Sequence, residues 1–168
     1  MIDLYDITVA SYIRMSDAMV SVMEKSRRYF QSEGKDPDEI IAMGLYPDMW
    51  PFTMQIIAMV VQSTDALRAL DSGVFKPKFP AFEPTFVGLQ ALLADNNRRL
   101  DDYTREWMNA LDLTEGVRME TGDIVKKYDY LLANAIPNFY FHTTTAYDIL
   151  RMNGAPIGKL DFLGGIPK

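Results

Sequence analysis

The sequence predicts an all-α protein, built as a four-helix bundle with a crossover connection. Four stretches carry apolar residues at steps of three and four, which is the spacing of one helix face. The segments that join these stretches are too long for tight up-and-down turns, so at least one connection should cross the bundle. The chain has 168 residues, which is about the length of one domain. We therefore assign residues 1–168 to a single domain.

The first two long helices follow from this spacing and from their end signals. The first is predicted over residues 6–30. Asp36, Pro37 and Glu39 then have the pattern of a helix cap, a first-turn proline and an acid at the third helical position, so a short helix is expected over residues 38–43. The second long helix should begin within residues 48–51 and end at Gly73, because glycine readily adopts the left-handed backbone of a helix end.

The second half of the chain contains two further long helices. After a proline-containing loop, Thr85 is expected to cap a third helix that continues to Leu111, with its apolar stripe interrupted at Asn96 or Asn97. The segment "GVRMETGDIVKKY" predicts a small hairpin or an irregular excursion. The fourth long helix should run over residues 128–153, and Pro137 should bend it because proline removes a backbone donor.

Composition excludes several classes of function. A net charge of −6 repels phosphate backbones, so we expect no nucleic-acid partner. No apolar run approaches the roughly 20 residues that span a bilayer, and the N-terminal stretch lacks the pattern of a secretory signal. We therefore expect no membrane partner and a cytoplasmic location. The chain has no cysteine, which excludes disulfides, thiolate zinc sites and cysteine nucleophiles.

The only histidine, His142, is the main candidate for a functional residue. It falls on the predicted inward stripe of the fourth helix, which consists of Leu132, Ala135, Phe139, His142, Ala146 and Ile149. An inward imidazole must satisfy both ring nitrogens, so His142 is either a hydrogen-bonded core residue or a functional residue in a small-molecule pocket. Asp65, within an apolar stretch of the second helix, is its most natural partner, unless Asp65 lies on the solvent face near Arg68. The predicted candidate pocket comprises His142, Asp65, Asn138, Thr145 and Gln55.

Several stretches resemble the signature segments of a known family. They are "LYDITVASYIR", "LYPDMWPF", "STDAL" and "PNFYFHTTTAYDILRMNGAPIGKLDFLGG". The chain resembles, over nearly its whole length, the domain-of-unknown-function family numbered nineteen ninety-three, which is grouped with the DinB/YfiT-like superfamily of predicted metalloenzymes. The resemblance implies a four-helix bundle in which one histidine on the second helix and a His-x-x-x-His pair on the last bind a divalent metal. Some relatives are thiol-dependent transferases or isomerases.

The sequence departs from that ligand pattern. If His142 is the first histidine of the pair, the second position is Ala146, and the nearest polar residue at the second-helix position is Gln55. One imidazole does not form a three-ligand site, so we expect no metal and no cofactor. Two hypotheses follow: a bundle that binds a small molecule or a partner without metal, or a thiol-dependent transferase-like or isomerase-like enzyme with His142 as base or polariser. Whether the protein is an enzyme stays open. We also expect a homodimer, because the apolar helix faces and the tail "APIGKLDFLGGIPK" offer more apolar surface than one bundle covers.

Overall fold

The structure is a computed structural model, and it describes residues 3–165. Residues 166–168 of the tail that we associated with dimerisation lie outside the described residues. Within residues 3–165, no helix combines the length and apolar character needed to span a membrane. The protein is mostly helical, as predicted. The α-helices are α1 (Leu4–Ile7), α2 (Val9–Ser32), α3 (Phe52–Val60), α4 (Ala66–Ser72), α5 (Phe86–Leu100), α6 (Arg105–Ala110), α7 (Lys127–Tyr130), α8 (Ile136–Met152) and α9 (Lys159–Phe162), and the strands are β1 (Gly116–Arg118) and β2 (Ile124–Lys126).

Single turns of π-helix join α3 to α4 and α7 to α8, so that each pair forms one long rod. These turns are Val61–Asp65 and Leu131–Ala135. The second turn lies immediately before Pro137, which occupies the first turn of α8. Because proline has no backbone N–H to give to the preceding turn, the wider π-turn sits where the regular bonding pattern is interrupted. A π-turn thus lies just upstream of Pro137, where we predicted a bend, and the bend itself stays a prediction.

The bundle has four rods, which are α2, α3 with α4, α5, and α7 with α8. They pack in an order that requires a crossover. Both α2 and α3 pack mainly against α5 and α8. Consecutive rods α2 and α3 therefore occupy diagonal corners, and the segment between them crosses the end of the bundle. This segment contains a 3-10 helix at Pro37–Ala42, whose N-cap Asp36 accepts a hydrogen bond from the Asp38 backbone N–H at 2.9 Å. The predicted bundle with a crossover connection is confirmed.

The core lies between the inward faces of the rods. Tyr12 of α2 contacts Phe139 of α8 with ring centroids 4.6 Å apart, and Phe52 of α3 stacks on Phe86 of α5 at 5.5 Å. All four side chains are fully buried. Aromatic residues bury more surface than any other side chain, so contacts between different rods stabilise their relative placement.

The two asparagines that interrupt the α5 stripe are buried and paired across the bundle. Asn96 accepts a hydrogen bond from Thr64 at 2.6 Å and donates one to Ser63 at 3.0 Å. Asn97 donates to Asp17 at 2.6 Å. Both Ser63 and Thr64 belong to the π-turn of the second rod, so this turn and Asn96 satisfy one another.

Several predicted helix ends are confirmed, but the predicted length of the third helix is wrong. Thr85 caps α5 through the Gly88 N–H at 3.0 Å, Gly73 ends α4 in the left-handed region, and β1 pairs antiparallel with β2 as the predicted hairpin. The third helix is not continuous to Leu111, because Thr104 caps a new helix, α6, by accepting from the Trp107 N–H.

The apolar stripe of the last rod also differs at its start. Leu132 is 50% exposed, whereas its neighbour Leu131 is fully buried. Leu131 is four residues before Ala135 and Leu132 is three before it, and the π-turn, which holds more residues than an α-turn, places Leu132 further from the inward face. From Ala135 onward the predicted stripe is buried, and it includes His142 at 8% exposure.

Candidate functional site

The site is centred on His142 of α8, which is hydrogen-bonded across the bundle to Gln55 of α3. His142 Nδ1 lies 2.7 Å from Gln55 Oε1. The amide nitrogen of Gln55 donates in turn to the backbone carbonyl of Trp50 at 2.8 Å. A carbonyl can only accept, so the Gln55 side chain must present its NH₂ group to Trp50 and its oxygen to His142.

These hydrogen bonds determine which ring nitrogen of His142 carries the proton. Because Gln55 Oε1 is an acceptor, Nδ1 must be the donor. Burial lowers the pKa of His142 below its ordinary value, since the charged ring loses solvation. The ring is therefore neutral at pH 7, and its other nitrogen, Nε2, carries a lone pair. Nε2 makes no hydrogen bond within residues 3–165.

Two aromatic rings hold the imidazole in place. The indole of Trp50 lies nearly parallel to it, with centroids 5.8 Å apart and 12° between the planes, and the ring of Phe141 meets it edge-on at 5.3 Å. The loop that carries Trp50 is tied back at the start of α3, where the Phe52 N–H donates to the Met43 carbonyl at 2.8 Å. Trp50 is nevertheless 53% exposed, so the other face of the indole is accessible.

A cavity of about 190 Å³ opens beside His142. It lies between the second and fourth rods, and its outer wall comes from the loop after α4 and from the β1–β2 turn. The lining residues are Trp50, Met54, Ala58, Val61, Gln62, Phe75, Pro77, Phe79, Glu120, Asn138 and His142. Most are apolar or aromatic, with a few polar groups, which is the usual make-up of a small-molecule site.

The outer wall of the cavity is anchored at two points. Asp65, at the end of the π-turn, accepts the backbone N–H of Lys78 at 2.7 Å and also pairs with Arg68. The Phe75 N–H donates to the Arg118 carbonyl of β1 at 2.9 Å. Both ends of the short segment that supplies Phe75, Pro77 and Phe79 are therefore fixed to the scaffold, one by a side chain and the other by the hairpin.

Comparison with known proteins gives the family. Residues 4–163 match the model of the family described as "Domain of unknown function (DUF1993)". The chain belongs to the DUF1993 family. No curated protein sequence matches it. Among solved structures, it is similar to a DinB family member protein from Shewanella denitrificans, whose crystal structure was determined at 1.83 Å resolution. That likeness has 27% sequence identity and a TM-score of 0.86, and it covers 98% of this chain and 94% of the other.

In this DUF1993 member, the structure brings together some of the predicted pocket residues. Gln55 and His142 are in direct contact, and Asn138 lines the same cavity. Thr145 is buried on α8, where its hydroxyl donates to the Phe141 carbonyl at 2.8 Å and does not line the cavity. This bond satisfies the hydroxyl within its own helix.

The suggested pairing of Asp65 with His142 is wrong. The partner of His142 is Gln55, and both carboxylate oxygens of Asp65 are occupied by Arg68 and by the Lys78 N–H. The alternative interpretation placed Asp65 on the solvent face near Arg68. Asp65 does lie near Arg68, but it is only 6% exposed and does not face solvent. Asp65 is the last residue of the π-turn, which directs its side chain toward the loop after α4.

Five residues that were not predicted from the sequence also line the cavity, namely Trp50, Gln62, Glu120, Phe75 and Phe79. Four of these five lie outside regular helices, so no helical period marks them. The signal that could have found Trp50 is its position directly before Pro51, where the chain is held extended at the entrance to α3.

The residues at this site do not fit the metal that the superfamily implies. Ala146 is fully buried and has no ligand atom, and the oxygen of Gln55 already accepts from the imidazole. Within residues 3–165, no group of three histidine, cysteine or carboxylate side chains has an arrangement that could hold a metal ion. The site offers one imidazole nitrogen, which is too few ligands for a stable divalent centre.

Proposed function

We propose that this DUF1993 protein binds a small molecule in the cavity beside His142 without the superfamily metal. The observation that carries the proposal is that His142 lines the cavity while its proton is fixed on Nδ1, which leaves Nε2 as a hydrogen-bond acceptor. A neutral imidazole among apolar side chains binds a ligand that donates an O–H or N–H group, and such a polar contact determines the orientation of the ligand.

The size of the cavity limits the ligand to a small group. An apolar cavity of about 150 Å³ is large enough to bind benzene. The cavity here has a volume of about 190 Å³, so it can enclose a ring with a short polar substituent, or a compact aliphatic group of that size. A larger molecule would have to extend past Trp50 and Phe79, which are both exposed.

A second candidate function is a thiol-dependent transferase-like or isomerase-like activity. The same tautomer supports it, because a neutral histidine with a free Nε2 can accept a proton from a thiol held in the cavity. The lowered pKa keeps this nitrogen unprotonated at pH 7, but it also makes His142 a weaker base. Turnover that requires a low-molecular-weight thiol and is lost in His142→Gln would favour this function over binding alone.

We also propose that the protein acts in the cytoplasm as a homodimer. Support comes from the exposed large apolar side chains near the cavity, since Trp50, Phe79 and Phe141 are all more than half exposed. A second copy that covered them would reduce the apolar surface in contact with water.

The binding function is tested by screening small aromatic and aliphatic molecules by NMR. His142 is the only histidine, so its ring resonances report unambiguously on the site. We expect molecules with an O–H or N–H group to shift the Nε2 resonance. Ala58→Met should prevent the shift, because Ala58 lines the cavity and a longer side chain would fill it. Ala91→Met is the matched control, since Ala91 is exposed on α5.

The outcome is decided by comparing the three proteins. Ligands that shift His142 in the wild type and in Ala91→Met but not in Ala58→Met support the proposal. If Ala58→Met fails to fold, His142→Gln serves as the second variant, with ligand signals observed directly. The proposal is refuted if no molecule shifts His142, or if the cavity-filled variant binds as well as the wild type.

A further inference from the structure

We infer that the cavity selects small organic cations, and specifically compounds with a protonated amine on a compact apolar body. This inference rests on the proposed binding function and names the class of ligand. It follows from three features of the lining: a ring nitrogen that accepts hydrogen bonds, aromatic side chains, and a carboxylate that has no basic side chain beside it in the wall.

The first feature is an acceptor on the imidazole. Nε2 of His142 is an acceptor because Nδ1 holds the proton. An ammonium group has three N–H donors and no acceptor, so it is suited to this atom.

The second and third features favour a positive charge. The cavity wall contains the aromatic rings of Trp50, Phe75 and Phe79, and aromatic faces attract cations. Glu120, in the β1–β2 turn, is the acid of the wall, and no lysine or arginine is among the described residues that line it. The net charge of −6 also attracts cations and repels anions at longer range. A carboxylate ligand would meet an acid and no basic side chain.

The experiment compares three probes of nearly equal size: benzylammonium, benzyl alcohol and benzoate. Each is titrated at pH 7 while the ring resonances of His142 are followed. We expect benzylammonium to bind about tenfold more tightly than benzyl alcohol, and benzoate to bind most weakly. Glu120→Gln should reduce the preference for the ammonium to less than about threefold and leave the affinity for benzyl alcohol unchanged. Glu33→Gln, at an exposed position after α2, is the control with the same change in net charge.

Failure of this inference is distinguishable from failure of the proposed function. If benzyl alcohol or benzoate shifts His142 at least as strongly as benzylammonium and Ala58→Met prevents that shift, the cavity binds ligands but does not select cations. Equal loss of preference in Glu120→Gln and Glu33→Gln would overturn the role of Glu120. If no probe and no other small molecule affects His142, both proposals are refuted.

Discussion

The hydrogen bond between His142 and Gln55 predicts how three substitutions at His142 rank in stability. His142→Ala removes the ring and the donor together. His142→Phe keeps a ring of similar size against Trp50 but removes the donor. His142→Gln discards the ring and retains an amide that can donate to Gln55. The three variants therefore separate the packing of the ring from its hydrogen bond.

The expected magnitudes follow from the contacts of the ring. His142→Phe leaves the oxygen of Gln55 without its donor at 2.7 Å, which costs about 1–3 kcal/mol. His142→Ala additionally loses the stack on Trp50 at 5.8 Å, an interaction of about 0.5–1.5 kcal/mol between aromatic side chains. The free energy of unfolding should therefore fall by about 1.5–4.5 kcal/mol in the alanine variant. We expect His142→Gln to lose less than His142→Ala.

The assay is urea denaturation at pH 7, with the midpoint compared at constant m-value. Thr144→Ala is the control, because Thr144 is exposed on the same helix and its loss should change stability by less than about 0.5 kcal/mol. Unchanged stability in His142→Ala would show that the inward placement of the ring is wrong. A phenylalanine variant as stable as the wild type would instead show that the bond to Gln55 contributes nothing measurable.

Four further predictions concern pH, the loop, metal and assembly. Burial lowers the pKa of folded His142 below the ordinary 6.5, so the contribution of this residue to stability is present above pH 6.5 and is lost as pH falls through the folded pKa. Urea titrations should therefore show the wild type losing stability relative to His142→Gln over that pH window. Parallel pH profiles of the two proteins would contradict this. Asp65→Asn weakens the anchor of Lys78 and should lower stability by about 1–3 kcal/mol together with affinity for cavity ligands, whereas Asp71→Asn, at an exposed site, should do neither. Elemental analysis of protein purified without a histidine tag should find well under one zinc or nickel per chain, and stoichiometric metal that disappears in His142→Gln would overturn the metal-free site. Light scattering at micromolar concentration should give the mass of a dimer, and a monomer would count against the proposed assembly.

The rods and their ends could be predicted because their signals are local. Asp36, Thr85 and Gly73 act on neighbouring backbone groups, so the sequence alone indicates where their helices begin or end. The π-turns could not be predicted, because an inserted residue leaves the local composition helical. At one of them Leu131 is buried and the predicted Leu132 is half exposed.

The site was predictable only where it lies on the helices. His142 was identified from its place on the apolar stripe of the last helix, and Gln55 from the second-helix ligand position that the family resemblance implies. The partner of His142 was misassigned to Asp65, since spacing along one helix cannot reveal which residue a side chain meets on another. Trp50 and Glu120 come from connections whose positions depend on long-range bonds, such as Phe75 N–H to the Arg118 carbonyl.

The two walls of the cavity come from different parts of the fold, and this determines where substitutions can change its ligand specificity. The inner wall, with Ala58 and His142, belongs to packed helices, where substitutions disturb the core. The outer wall, with Phe79 and Glu120, belongs to connections between helices, and these two side chains are exposed. Substitutions in those connections can exchange one ligand chemistry for another while the helices are preserved. If members of a family retain this bundle but prefer different ligands, the responsible sequence differences should then lie in the loops.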